Sequence, residues 1–154
     1  MDDLLFAKTM IISLLVLTGL MVYHAKQEHG PEPTIDDYFY ALSAVESSHD
    51  PHAKHKDGEV GLYGVSFPFW KDAVEFSNIR GEHSDCLNPY YSQAVIISYY
   101  RRYARELWNN RDYYALARIH NGGPLGNSKA HTKAYANKVM NIIKQEVTQR
   151  EQHN

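Results

Sequence analysis

The 154-residue chain has a formal net charge of −2 and 44% hydrophobic residues, so it can bury the core of one domain and still carry an appendage. The near-neutral balance excludes a general nucleic-acid-binding protein, which would show a clear basic excess. The single cysteine, Cys86, excludes an intrachain disulfide. No motif supplies it with a base, so we expect a small buried side chain rather than a nucleophile.

The first segment of the chain is apolar. Residues 10–23 are uncharged and mostly aliphatic, and extending the segment back to residue 4 gives about the 20 residues that a membrane span needs, although it then includes Lys8. We interpret residues 4–23 as an uncleaved signal-anchor in the membrane. A cleaved signal peptide and a buried helix are the alternatives, and the first two interpretations place the rest of the chain outside the cytoplasm.

A Gly-Pro-Glu-Pro sequence at residues 30–33 is a natural break in the chain. We therefore predict two parts. Residues 1–30 form the signal-anchor or signal segment with its linker, and residues 31–150 form the domain.

The domain is predicted to be mainly helical. Thr34 can cap a first helix that runs to about Ser47, because Asp37 follows three residues later in a capping-box arrangement. Residues 60–65 are short and broken by glycines, and we interpret them as a strand of a small hairpin. Further helices are predicted at residues 68–76, 90–108, 112–120 and 128–149, with Asp112 and Ser128 as the caps of the last two. The predicted fold class is therefore α+β, mainly α.

Two carboxylates flank the polar loop after the first domain helix. Glu46 comes at the end of that helix beside its apolar face, where a sheltered carboxyl suits a proton donor. Asp57, at an Asp-Gly turn, suits an ionised partner, and Glu59 is the alternative for that role. Hydrolysis of a glycosidic bond needs such a pair. A surface glutamate and an ordinary turn would show the same pattern, so the pair alone does not decide the function.

Four blocks of sequence support the hypothesis of glycosidic hydrolysis. They are the Val-Glu-Ser at residues 45–47, Gly-Leu-Tyr-Gly-Val-Ser-Phe-Pro-Phe-Trp-Lys-Asp at 61–72, Ala-Arg-Ile-His-Asn-Gly-Gly-Pro at 117–124, and the Thr, Tyr and Lys-Val within 132–139. Over about residues 38–140 they resemble, in the same order, blocks of the invertebrate-type (i-type, destabilase-like) lysozymes. The resemblance implies a lysozyme-like fold with a small β-hairpin, here preceded by the hydrophobic N-terminal helix.

The resemblance also implies an activity. It predicts a peptidoglycan-cleaving, bacteriolytic glycoside hydrolase that acts on the β-1,4 bond between N-acetylmuramic acid and N-acetylglucosamine, without metal or cofactor. Glu46 matches the family's acid, and the second carboxylate falls nearest Asp57. The residues expected to bind the glycan are Tyr63, Trp70, His120, Asn121, Gly122 and Tyr135. Core packing and turn formation are the alternatives for these side chains.

Some positions depart from the family's pattern. Cysteines are expected at Ala41, Ser43 and Ala73, a Gln at Gly64 and a Trp at Ala136. Two alternatives therefore stay open: a lytic transglycosylase that uses the same acid without a second carboxylate, and an inactive, membrane-tethered relative that only binds glycan. His49, His52 and His55 recur every three residues, but their loop lacks the fixed geometry that a metal site needs.

Overall fold

The computed structural model describes residues 3–28, 31–53 and 57–153, and this part of the chain is built mostly from helices. The α-helices are α1 (Asp3–Glu28), α2 (Ile35–Ser47), α3 (Phe67–Phe76), α4 (Pro89–Tyr103), α5 (Arg105–Asn109), α6 (Tyr113–Gly122) and α7 (Thr132–Gln152). Short 3-10 helices span His83–Leu87 and Gly126–Ser128. The mainly helical fold class is confirmed, while the predicted hairpin is reduced to one antiparallel bridge between Val60 and Val65.

Helix α1 exposes its apolar side chains wherever they are described, as at Leu14 and Met21. Among the described residues, no helix is both long and apolar enough to cross a membrane. The interpretation of residues 4–23 as a membrane span therefore finds no support in the structure. The division of the chain at residues 30 and 31 stays a prediction, and Gly30 lies outside the described residues.

Helix α2 begins with the cap that the sequence predicts. The Thr34 side chain accepts a hydrogen bond from the backbone N–H of Asp37 at 3.2 Å, and the Thr34 backbone N–H donates to the Asp37 carboxylate at 2.7 Å. Arg150, near the end of α7, donates to both oxygens of the same carboxylate at 2.9 Å. Burial acts to raise the pKa of Asp37, but the hydrogen bonds from Thr34 and Arg150 outweigh it and leave this pKa lowered.

This lowered pKa gives a stability prediction for Asp37→Asn. A depressed folded-state pKa stabilises the fold above the unfolded value of about 3.9, and this stabilisation is lost as the pH falls through the folded-state pKa. We expect the variant to lose about 1–2 kcal/mol of unfolding free energy at pH 7, because the cap weakens and Arg150 loses its partner. The difference from the wild type should shrink towards pH 2. Thermal unfolding at both pH values measures it.

The matched control is Asp36→Asn, which removes a neighbouring charge that is exposed. It should change the unfolding free energy much less at pH 7. A pH-independent loss in Asp37→Asn would mean that packing, rather than the ionised carboxylate, accounts for the effect.

The core forms where α2, α4, α6 and α7 meet. Tyr38 stacks on the ring of Tyr113 at 4.9 Å between centroids, and its hydroxyl hydrogen-bonds that of Tyr100 at 2.7 Å. The positions where relatives are expected to have cysteine or tryptophan lie inside this core as small side chains: Ala41, Ser43, Ala73 and Ala136. Close packing of small residues therefore takes the place of cross-links at these positions.

Two predicted helix bounds were wrong. The helix predicted from residue 90 to 108 breaks at Ala104, where φ is −146°, and continues as α5. Residues 100 and 108 would be about 12 Å apart along a continuous helix, whereas the break brings the rings of Tyr100 and Trp108 to 5.9 Å. The predicted cap of the last helix was also wrong. The Ser128 hydroxyl donates to the Leu125 carbonyl beside the second 3-10 helix, and α7 begins at Thr132.

The lone cysteine is fully buried, as the sequence analysis expects. Burial raises the pKa of the Cys86 thiol to about 11. Its reactive thiolate form is therefore scarce at neutral pH. The Cys86 backbone carbonyl packs closely on Gly61. A Cβ at residue 61 would lie 2.1 Å from that carbonyl oxygen, and the φ there is +79°. Both features require glycine at this position.

Candidate active site

Glu46 lies in the last turn of α2 with a side chain that is only 16% exposed. The helix ends directly after it because Ser48 and His49 adopt left-handed φ values of 54° and 67°. The backbone N–H groups of both residues donate to the Ser43 carbonyl, which closes the helix end. The chain therefore turns away from α2 immediately after Glu46 and leaves the carboxyl sheltered.

Both described hydrogen-bond donors near this carboxyl approach the same oxygen. The Tyr135 hydroxyl, from α7, donates to Glu46 Oε1 at 2.5 Å. His120 Nε2, from α6, lies 3.5 Å from the same atom. Burial first, and then the charge and hydrogen bond of Glu46, raise the pKa of Tyr135 well above its usual value. Tyr135 therefore keeps its proton and remains a donor at any physiological pH.

The contacts of His120 indicate which of its nitrogens carries a proton. Nε2 lies 3.0 Å from the Tyr63 carbonyl oxygen, which can only accept, so Nε2 is protonated. Nδ1 is buried without a hydrogen-bond partner among the described residues. The Nε2–H of His120 is therefore donated to the Tyr63 carbonyl and lies beside Glu46 Oε1, which fits the expected structural role of this side chain.

The other carboxylate oxygen lies against the backbone of Gly64. A Cβ built at this glycine would be 2.7 Å from Glu46 Oε2, and its φ is +58°. The turn that carries Gly64 is held in place by the bridge between Val60 and Val65 and by Ser47, whose hydroxyl donates to the Leu62 carbonyl at 2.9 Å. Glycine at 64, where relatives are expected to have Gln, thus gives Oε2 its space.

These contacts make the two oxygens chemically different. Oε1 accepts the hydrogen bond from Tyr135, whereas Oε2 lies against the backbone of Gly64. The carboxyl is therefore sheltered and held in one orientation, a geometry that suits general acid catalysis.

The second carboxylate is less well placed. Asp57 is exposed and follows residues 54–56, which lie outside the described part of the chain, as does His55 of the predicted histidine series. Glu59 is half-buried, and its charge is the last of the causes that raise the pKa of Tyr135, after burial, Glu46 and Tyr100. The second carboxylate, Asp57 or Glu59, therefore stays a prediction.

The predicted glycan-binding residues lie in different surroundings. His120 and Tyr135 contact Glu46 directly. Tyr63 contributes its backbone carbonyl, while its ring is 3% exposed and its hydroxyl accepts from Gln93 at 2.7 Å, so the ring belongs to the core rather than to a sugar-binding wall. Trp70 is half-buried on α3, with its indole N–H donating to the Tyr91 hydroxyl at 3.0 Å.

Asn121 and Gly122 form the end of α6. Asn121 is exposed, whereas the Gly122 carbonyl accepts a hydrogen bond from Lys129 Nζ at 2.5 Å. A Cβ at Gly122 would lie 2.6 Å from the side chain of Thr132. Gly122 therefore allows the end of α6 to contact the start of α7 closely. Its role in binding glycan stays a prediction.

The contact between Tyr135 and Glu46 was missed by the sequence analysis. One signal could have indicated it: Tyr135, Val139 and Ile143 recur every four residues on α7, and the last two are buried. This spacing places Tyr135 on the face of α7 that is turned to the core. The partner of its hydroxyl, 89 residues earlier in the chain, has no comparable local signal.

Comparison with solved structures defines the class of fold. The chain has a lysozyme-like fold. It is similar to the lysozyme of Tapes japonica, with a TM-score of 0.59 and 23% identity over 72% of this chain and 92% of that one. It is also similar to the 70 kDa soluble lytic transglycosylase of Escherichia coli, with a TM-score of 0.58 and 22% identity over 74% of this chain and 21% of that one. No family model and no curated protein matches the sequence.

Proposed function

We propose that the protein is a peptidoglycan-cleaving glycoside hydrolase of the i-type lysozyme kind, with Glu46 as its general acid. The observation that carries the proposal is the sheltered carboxyl whose Oε1 is held by Tyr135 and approached by His120. Oε2 donates its proton to the oxygen of the β-1,4 bond between N-acetylmuramic acid and N-acetylglucosamine as that bond breaks. The lysozyme-like fold and the sequence blocks that resemble i-type lysozymes support the substrate class.

Tyr135 and His120 have positioning roles in this proposal. By fixing Oε1, they orient the acid and keep its proton on the oxygen next to Gly64. Because the proton donor is already oriented, the reaction avoids the entropic cost of orienting it. Because peptidoglycan lies outside the cytoplasmic membrane, the proposal also places the domain outside the cytoplasm.

A lytic transglycosylase is the second candidate. It would use the same acid, but the sugar's own hydroxyl would close a 1,6-anhydro ring, so no second carboxylate is needed. The exposure of Asp57 favours this candidate, and the fold is shared with a lytic transglycosylase. Mass spectrometry of the fragments released from purified peptidoglycan separates the two, because hydrolysis adds one water and the transglycosylase reaction does not. Absence of any released fragment would contradict both candidates.

Two variants test the second carboxylate. If the enzyme is a hydrolase that uses Glu59, Glu59→Gln should lower turnover of peptidoglycan by roughly a hundredfold or more, because an ionised group no longer stabilises the positive charge of the transition state. Asp57→Asn should then change turnover less than about threefold. If Asp57 is the partner, the order is reversed. Hydrated products together with two fully active variants would contradict a two-carboxylate mechanism.

A further inference from the structure

Three aromatic side chains form a cluster at the surface beside the turn that carries Gly64. We call Phe67, Trp70 and His83 the aromatic shelf. The ring centroids of Phe67 and Trp70 are 5.5 Å apart, those of Phe67 and His83 5.7 Å, and those of Trp70 and His83 6.0 Å. Phe67 is 52% exposed although it lies in the first turn of α3. The shelf therefore presents aromatic surface to solvent instead of burying it.

The shelf is held in place by polar contacts. His83 Nε2 donates to the Val65 carbonyl at 2.7 Å, and the Trp70 indole N–H donates to Tyr91 at 3.0 Å. Each bond fixes one ring without covering Phe67. A preformed platform of this kind loses little side-chain entropy when a ligand binds to it.

The shelf is attached to the candidate active site. Val65, which accepts the hydrogen bond from His83, directly follows Gly64, and Gly64 lies against Glu46 Oε2. Phe67 is three residues beyond Gly64, so their Cα atoms are at most about 11 Å apart. Phe69, on the inner side of the same helix, contacts the His120 ring at 5.4 Å between centroids. The shelf is therefore joined to the acid by the short segment from Gly64 to Phe67.

We propose that the aromatic shelf binds one sugar ring of the glycan strand whose glycosidic bond reaches Glu46. The proposal rests on the proposed function for the choice of ligand, and it adds Phe67 and His83 to the substrate site. The apolar C–H face of a pyranose packs well on exposed aromatic rings. Phe67 and Trp70 carry no charge, which suits a neutral N-acetylated sugar better than an anionic group.

The test measures binding without turnover. In a Glu46→Gln background, Trp108→Phe leaves Trp70 as the only tryptophan, because the chain has two. Titration with the hexamer of N-acetylglucosamine should then change the Trp70 emission at saturation. Adding Phe67→Ala should raise the Kd about five- to tenfold, as loss of one aromatic contact does. In the active enzyme the same change should raise KM and leave kcat unchanged, because uniform binding is lost.

Phe76→Ala is the matched control, because Phe76 is also an exposed phenylalanine of α3, at 45%, but lies at its far end. Its Kd should stay within twofold. The proposal is overturned if Trp70 emission does not respond to saturating hexamer, if Phe67→Ala leaves Kd unchanged, or if Phe76→Ala weakens binding equally. If the shelf binds the hexamer as expected while the wild type releases no fragments from peptidoglycan, the shelf stands and the proposed function fails.

Discussion

Replacing Glu46 by Gln is expected to lower turnover of peptidoglycan by about a thousandfold, within the range that loss of a positioned general acid costs. The glutamine side chain has the same shape, and its amide oxygen can still accept the hydrogen bond from Tyr135. Its NH₂ group cannot donate a proton to the leaving oxygen. Release of reducing ends from purified peptidoglycan, compared at equal protein concentration, measures the effect.

Two checks make this result specific. The thermal unfolding midpoint of Glu46→Gln should stay close to the wild-type value, because the contacts around Oε1 are kept. Glu75→Gln is the control variant, since that glutamate is exposed on α3 and forms a surface ion pair with Lys71 at 3.8 Å. It should retain full activity. If Glu46→Gln kept wild-type turnover, Glu46 could not be the acid and the glycosidase proposal would have to be abandoned.

Gly64→Ala is expected to lower turnover by roughly a hundredfold, as a displacement of about 1 Å in a catalytic group can. The added Cβ would lie 2.7 Å from Glu46 Oε2, so the carboxyl has to move. The left-handed φ of +58° adds about 1–2 kcal/mol of backbone strain. Steady-state kinetics on peptidoglycan, together with denaturant unfolding, separates the catalytic loss from the loss of stability.

Gly58→Ala separates these two causes. Gly58 also has a left-handed φ, of +81°, but a Cβ there would meet no described atom within 4 Å. The variant should lose a similar amount of unfolding free energy and keep its turnover. Equal turnover losses in both variants would show that strain in the loop, rather than contact with Glu46, controls the activity.

The features predicted correctly from the sequence are local ones. Thr34 and Asp37 form the predicted cap, and Asp112 caps α6 by accepting from the Ala115 N–H at 3.0 Å. A cap depends on residues within one turn of each other, so a short window of sequence contains its cause. The mainly helical fold followed from the same kind of signal, repeated along the chain.

The features that were missed depend on tertiary contacts. Ala104 favours a helix by itself, and the break there becomes understandable only once Trp108 is seen against Tyr100. The predicted hairpin fails because Gly61 and Gly64, both with positive φ, turn the chain back before more than one bridge can form. Glu46 was predicted to be the acid from its place at the helix end and from the resemblance, whereas the different surroundings of its two oxygens became visible only in the fold.

The ion pair between Asp37 and Arg150 has a consequence for engineering. It brings the first turn of α2 against the last turns of α7, so the two ends of the helical domain are neighbours in space. A short linker could join these ends, and the chain could be reopened at the exposed turn around Asn110. Such a circular permutant would keep the contacts of the core and place both new termini at the α5–α6 connection.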